Sequence, residues 1–307
     1  MAAVSTHKKS IGILTYDTIN IGDWTQTAAT MYVWWQHFKR PDTFKGFVEK
    51  CIATSTMMDI PITWINRDLI KTFTKPAGID EVVIVCNGWW MHKKNNEYQF
   101  PPPEWITPMY ISMHIHDPTL LQKDVITHLK KHEPVGCRDL STKKVLEQHG
   151  VDAYFSGCVT MIFNIKDIQL GFIQTVDYSK NILHIDPPAR TPTTPEVITK
   201  SQHHSNGVTL TNIIQSVQDL INYMYATKVV TLRLHMWLPL ACNDCNVVLM
   251  NNTTKKEFVN GDKDNAYQSV NRFNGLTELV YNKAVLNAFK PVLLQDVLTR
   301  MDKALAS

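Results

Sequence analysis

The feature that most constrains this chain is a recurring unit. A short apolar run, rich in β-branched residues, ends in polar or glycine-containing residues and is followed by helical spacing. IGILTY (11–16) leads through TINIGDWTQ into a helical segment from about Thr25 to Phe38, and EVVIVCNGWW (81–90) and MYISMHI (109–115) read as further strands. PVGCRD (134–139) precedes a helix that Ser141 can cap and Gly150 can close. AYFSGCVTMIFNI (153–165) reads as a strand pair or a bent strand. Apolar strands alternating with helices require a mainly parallel sheet covered on both faces.

The pattern weakens between Lys166 and Lys180 and resumes with NILHI (181–185), a helix from about Leu210 to Ala226, VVTL (229–232) and VVLM (247–250). Helical spacing from about Thr277 to Leu305 is expected to break near Pro291. The fold class is therefore α/β. Residues 1–166 and 167–307 are expected to form two Rossmann-like domains facing a cleft, with C-terminal helices crossing back to the first.

Charge narrows the partners. The 31 basic and 28 acidic residues nearly cancel to +3, so no global field calls for nucleic acid or an anionic membrane, and any anion must be caught locally. No apolar run approaches the ~20 residues of a membrane span, and MAAVSTHKKS lacks the apolar stretch of a secretory signal, so a cytoplasmic protein is expected. Six scattered cysteines, at 51, 86, 137, 158, 242 and 245, suit reduced, buried thiols.

In open α/β sheets, ligands bind beyond the carboxyl ends of the strands. Polar residues of this chain gather there: Asn20, Gly22 and Asp23; Asn87 and Gly88; His114 and His116; Arg138; Arg233 and His235. An arginine following an apolar strand needs an anionic partner, either a structural one or a phosphate or carboxylate ligand. Asp23 can cap a helix starting at Trp24, act as general base toward an acceptor hydroxyl, or do both. Arg138 either pairs locally with Asp139 or binds an anion. Trp24, Trp89, Trp90 and Trp105 offer ring faces for a sugar or for the core. Asn20, Gly22, Asn87, Trp89, Trp90 and His114 are the candidate acceptor-binding residues. CNDC (242–245) is a lone CxxC, best read as a turn between helix and strand, and the HxH of 114–116 lacks a third ligand, so no metal is expected. GxGxxG, Walker A and GxSxG patterns are absent.

Taken in order, GILTYDTINIGDWTQTAA, NGWW, PVGCRD with STKKVLEQHG, YFSGCVTM and YATKVVTLRLHMWLPLA resemble the polysaccharide pyruvyl transferase family, over nearly the whole chain to RFNGL at 272–276. The resemblance implies a fold like that of GT-B glycosyltransferases and a role as a transferase in glycan biosynthesis. It further implies transfer of a pyruvyl group from phosphoenolpyruvate to a sugar hydroxyl pair, without a cofactor. It assigns the donor to the second domain, with Arg233 and Leu234 binding it and His235 as donor ligand and general acid; Asp23 would be the base on the acceptor side. Arg138 and Arg272 are candidates for a second donor arginine among seven in the chain. A GT-B-like cleft serves a nucleotide sugar equally well, making an inverting glycosyltransferase the alternative and an inactive carbohydrate-binding protein the third. The partners are thus a glycan acceptor and a small anionic donor.

Overall fold

The computed structural model describes residues 8–39, 42–91, 100–174, 176–186, 194, 196–202, 209–250 and 275–306. Seven strands form the first sheet: β1 (Lys9–Thr15), β2 (Thr56–Met57), β3 (Ile60–Asn66), β4 (Glu81–Trp90), β5 (Ile106–Ile115), β6 (Val135–Cys137) and β7 (Ala153–Phe155). Their order is β2-β3-β1-β4-β5-β6-β7, and all pairs are parallel except β2 with β3. Four parallel strands form the second sheet: β8 (Ile182–Ile185), β9 (Val197–Lys200), β10 (Lys228–Thr231) and β11 (Val247–Leu249), in the order β11-β10-β8-β9. The chain is therefore α/β, as the alternation of strands and helices requires.

Helices α1 (Ile21–His37), α2 (Phe44–Thr54), α3 (Lys123–Lys131), α4 (Leu140–Gln148) and α5 (Ile165–Ile168) accompany the first sheet. Helices α6 (Thr211–Tyr223) and α7 (Leu234–Ala241) accompany the second, and α8 (Leu276–Tyr281) and α9 (Lys283–Ala306) follow. Helix α9 is bonded to both halves. At its start Lys283 and Lys290 donate to the carbonyls of Ala241 and Cys242, at 2.7 and 3.0 Å. Further along, Tyr154 donates to Asp296, Arg300 donates to the Pro134 carbonyl at 3.0 Å, and Lys9 reaches the Ala304 carbonyl at 2.8 Å. A separate apolar cluster joins Cys158 and Met161, which follow β7, to Leu234, Trp237, Leu238, Leu276 and Leu279.

Several boundaries differ from the sequence expectations, each for a local reason. Helix α1 begins at Ile21, not Thr25, because Asn20 caps it by accepting from the Gly22 N–H at 3.1 Å; Asp23 already lies in the first turn. Asp139, rather than Ser141, caps α4, accepting from Thr142 N at 2.8 Å. Only Ala153–Phe155 of AYFSGCVTMIFNI is strand. Gly157, at φ +64°, turns the chain, and Val159–Ile162 closes into a 3-10 turn. Helix α9 runs through Pro291, since buried Leu286 on one side and Leu293, Val297 and Met301 on the other outweigh one lost backbone bond; the break falls at Asn282. CNDC is the turn between α7 and β11, and all six cysteines are free.

Candidate functional site

Strand order places a crevice in each sheet. After β1 the chain moves outward to β3 and then returns to β4 on the other side of β1, so the order reverses between β1 and β4. In the second sheet it reverses between β8 and β10. Loops diverge at such points and leave room for a ligand. Asn20–Gln26 and Asn87–Trp90 flank the first point; Asp186 and Arg233 flank the second. The two points meet, because the backbone N–H of Ile21 donates to the Gln202 carbonyl at 2.8 Å, and Gln202 follows β9. A Cβ on Gly22 would lie 3.2 Å from Gln202 Oε1, so a glycine is what lets the chains come this close.

On the second sheet, Arg233 has an anionic partner within the protein. Its Nε donates to Asp186 Oδ2 at 2.8 Å across the order reversal, and its backbone N–H donates to Thr231 Oγ1 at 3.0 Å. Asp186, held at φ +46°, also accepts from Ser201 Oγ at 2.7 Å and Gln202 N at 3.0 Å. Burial pushes its carboxyl up, but these hydrogen bonds and Arg233 outweigh burial and hold it below the usual carboxylate range. Arg233 is the N-cap of α7, and its carbonyl accepts from the N–H groups of Met236 and Trp237 at 3.2 and 2.9 Å. His235, nearly buried, is in that first turn. The side chain of Leu234 belongs to the apolar cluster with Cys158 and Met161, so its carbon skeleton is committed to packing.

On the first sheet, a buried polar group centres on Asp23. Gln26 Nε2 donates to Asp23 Oδ1 at 3.2 Å, and Tyr16, Arg67 and Arg138 all lie within electrostatic reach of that carboxylate. Arg67 follows β3, binds Asp68 Oδ1 through Nε and Nη2 at 3.1 and 2.9 Å, and lies 4.7 Å over the Tyr16 ring. Burial opposes the charge on Arg67, but Asp68, Asp23 and Tyr16 outweigh it and raise its pKa. For Arg138, at 2% exposure, burial wins over Asp139 and its other neighbours and the pKa falls. Asp23 is thus held in a buried polar group between Gln26, Tyr16 and two guanidinium groups.

A second acid–base pair lies alongside. Asp139 acts on Arg138 by charge, with no hydrogen bond between them among the described residues: one of its oxygens caps α4 and the other lies 2.7 Å from His114 Nδ1, with both side chains fully buried. Burial raises the Asp139 carboxyl, and His114, Arg138 and the Thr142 N–H together lower it further than burial lifts it. Such a carboxylate fixes the ring orientation and makes Nε2 the working nitrogen of His114. The rings of His114 and His116 lie 6.4 and 5.1 Å from that of Trp89.

The remaining expectations separate. Asn87 sits where the β4–β5 register shifts, and its Nδ2 donates to Thr30 Oγ1 at 2.9 Å and to the Gln26 carbonyl at 3.3 Å. Trp90 is not available for stacking on a sugar: it is core, edge-on to Phe100, with its indole N–H on the Asn87 carbonyl. Trp24 is likewise fully buried, while Trp89 and Trp105 are partly exposed. Arg272 lies outside the described residues. Sequence reasoning missed Arg67, Asp68, Asp186 and Gln202, and it read Asp139 only as a local partner. The signal was available for Arg67 and Asp68, since INRD follows a β-rich ITW just as CRD follows VG.

One further observation ties the group together. Gln26 Oε1, Arg67 Nη1, Asn87 Oδ1, Arg138 Nε and Gln202 Nε2 are buried and have no hydrogen-bond partner within the described residues. Each such atom costs roughly 1–3 kcal/mol if left unmet. Five such atoms, both donors and acceptors, are what a polar ligand would satisfy. No protein-family model matches the chain, and no curated protein matches it.

Proposed function

We propose that this chain is a carbohydrate-modifying transferase of glycan biosynthesis, built as two facing Rossmann-like domains in a GT-B-like arrangement. In this reading it moves a pyruvyl group from phosphoenolpyruvate to a pair of sugar hydroxyls. The observation that carries the reading is the meeting of the two order reversals at Ile21 and Gln202. That contact sets a second-sheet wall, with the Arg233–Asp186 pair, His235 and the start of α7, against a first-sheet wall of mixed donors and acceptors. A sugar hydroxyl both gives and accepts hydrogen bonds and so suits the mixed wall. The guanidinium, the imidazole and the helix start suit a phosphorylated acid.

The chemistry distributes over these walls. Two sugar oxygens bond to C2 of phosphoenolpyruvate, C3 gains a proton, the bond from C2 to the phosphate oxygen breaks, and phosphate leaves with the second hydroxyl proton. His114, oriented by Asp139, is the group best arranged to take a hydroxyl proton, and His235 the one to deliver a proton on the donor side. Arg233 stabilises the departing phosphate. Its charge is already balanced by Asp186, which favours the rival donor, a nucleotide sugar with its charge spread over a diphosphate, in an inverting glycosyl transfer. Phosphate release from phosphoenolpyruvate that depends on an added sugar diol is the expected result. Nucleotide release from a nucleotide sugar, with phosphoenolpyruvate inert, would replace pyruvyl with glycosyl transfer; binding of sugar without turnover of either donor would leave a carbohydrate-binding protein.

A further inference from the structure

Three adjacent strand ends of the second sheet carry Arg233, Asp186 and Gln202. Strand β8 lies between β10 and β9, so Asp186, directly after Ile185, stands between Arg233 and Gln202, which follow those two strands. One oxygen serves both neighbours: Asp186 Oδ2 accepts from Arg233 Nε at 2.8 Å and from Gln202 N at 3.0 Å. The other oxygen accepts from Ser201 Oγ at 2.7 Å. Gln202, at 1% exposure, carries the link to the first sheet, because its carbonyl accepts from the Ile21 N–H at 2.8 Å. Ile21 opens α1, and the first N–H groups of a helix have no acceptor within it. The second sheet supplies that acceptor two residues before Asp23.

We propose that Asp186 is a positioning residue that couples the two walls of the crevice: it holds the Arg233 guanidinium for the donor and, through Gln202, fixes the first turn of α1 that carries Asp23. This deepens the transferase reading and rests on its placing of the donor at Arg233.

The chemistry of the junction supports the coupling. An ionised carboxylate only accepts, so both donors are drawn to the same oxygen, and the charge-assisted bond to Nε fixes the plane of the guanidinium. The carboxylate is itself held in place, since the Asp186 N–H donates to the Lys200 carbonyl at 2.9 Å. An anion gathered by Arg233 therefore steadies Asp186 Oδ2, the Gln202 peptide and the Ile21 N–H in turn. Coupling free energies are reciprocal, so a sugar seated against the first turn of α1 favours the donor by the same factor.

Hydrogen–deuterium exchange over residues 20–26 of the full chain tests this, with the amides of β1 and β4 as a control for the fold. Without ligand, Asp186→Ala should speed exchange of the segment about fivefold or more, the low end of typical coupling between sites. Asp186→Asn, whose carboxamide oxygen can take the place of Oδ2, should restore most of the protection. Saturating phosphoenolpyruvate should slow exchange in wild type and not in Asp186→Ala; Asp186→Ser serves if the alanine variant does not fold. Thermal shift reports donor binding separately. Slowing by a UDP-, GDP- or CMP-sugar in place of phosphoenolpyruvate would remove the pyruvyl reading and uphold the coupling. A donor that binds without altering wild-type exchange, or an Asp186→Ala variant with the protection and donor response of wild type, overturns the coupling alone. No binding of any donor overturns both.

Discussion

Replacing Asp139 with asparagine separates the three things this carboxylate does. Asparagine caps a helix as well as aspartate does, so the bond to Thr142 N should survive at little cost. The charge-assisted bond to His114 is lost, at roughly 1.5–3 kcal/mol for a bond to a charged group. Arg138, buried beside it, loses an anion and keeps only Asp23 as a carboxylate in reach. We therefore expect Asp139→Asn to lose about 3 kcal/mol at pH 7, below the roughly 3–5 kcal/mol of removing the sole partner of a buried charge. Urea unfolding followed by tryptophan fluorescence measures it. Asp139 has a folded pKa below its unfolded one, near 3.9. Its contribution is thus fully present above the unfolded value and lost as pH falls through the folded value. The gap between wild type and variant should accordingly close in acid. A loss under about 0.5 kcal/mol at pH 7, or a gap that persists unchanged in acid, would refute the assigned coupling of Asp139 to His114 and Arg138.

Two further perturbations test the local geometry. Gly88→Ala should destabilise by roughly 1–3 kcal/mol in denaturant unfolding, because Gly88 has φ +88° and a Cβ there would lie 2.7 Å from Gln26 Oε1. Gly46→Ala, in the first turn of α2 with ordinary backbone angles, sets the entropic gain of about 0.4–1 kcal/mol against a tight 3.3 Å contact with Thr43 Oγ1, the acceptor of the Gly46 N–H, so its effect should stay within about 1 kcal/mol and well below that of Gly88→Ala. Burial pushes the Cys242 and Cys245 thiols up to about 12 and about 11, and Cys86, Cys137 and Cys158 upward as well. A disulfide reagent at pH 8 should therefore find no fast-reacting thiol until the chain is unfolded; a rapid native reaction would contradict the burial.

The alternation of apolar runs with helices made the α/β class legible, and the polar residues expected at strand ends do lie at or just beyond the carboxyl ends of β1, β4, β5, β6 and β10. Boundaries were less legible where a single side chain decides them. Asn20 starts α1 a turn early, Gly157 stops a strand that its residues would otherwise extend, and Pro291 fails to stop a helix that packing holds together. Strand β3 was hidden because Pro61 and Asp59 interrupt its pattern, and with it went Arg67 and Asp68. The role of Asp139 was hidden for another reason. Its partner His114 is 25 positions away, and only the pairing of β5 with β6 brings them together. Trp89 and Trp90 are indistinguishable as letters, yet alternation along β4 leaves one beside the two histidines and the other in the core.

The central claim is that the crevice between the two strand-order reversals holds an anionic donor against Arg233. Thermal unfolding with phosphoenolpyruvate, and separately with UDP-, GDP- and CMP-sugars, tests it on wild type and on Arg233→Gln, each variant against its own ligand-free midpoint. At ~100 times its dissociation constant the true donor stabilises wild type by about 2.7 kcal/mol. The account predicts that phosphoenolpyruvate gives this gain and that Arg233→Gln loses it. No gain from any donor, or an equal gain in the variant, would contradict it.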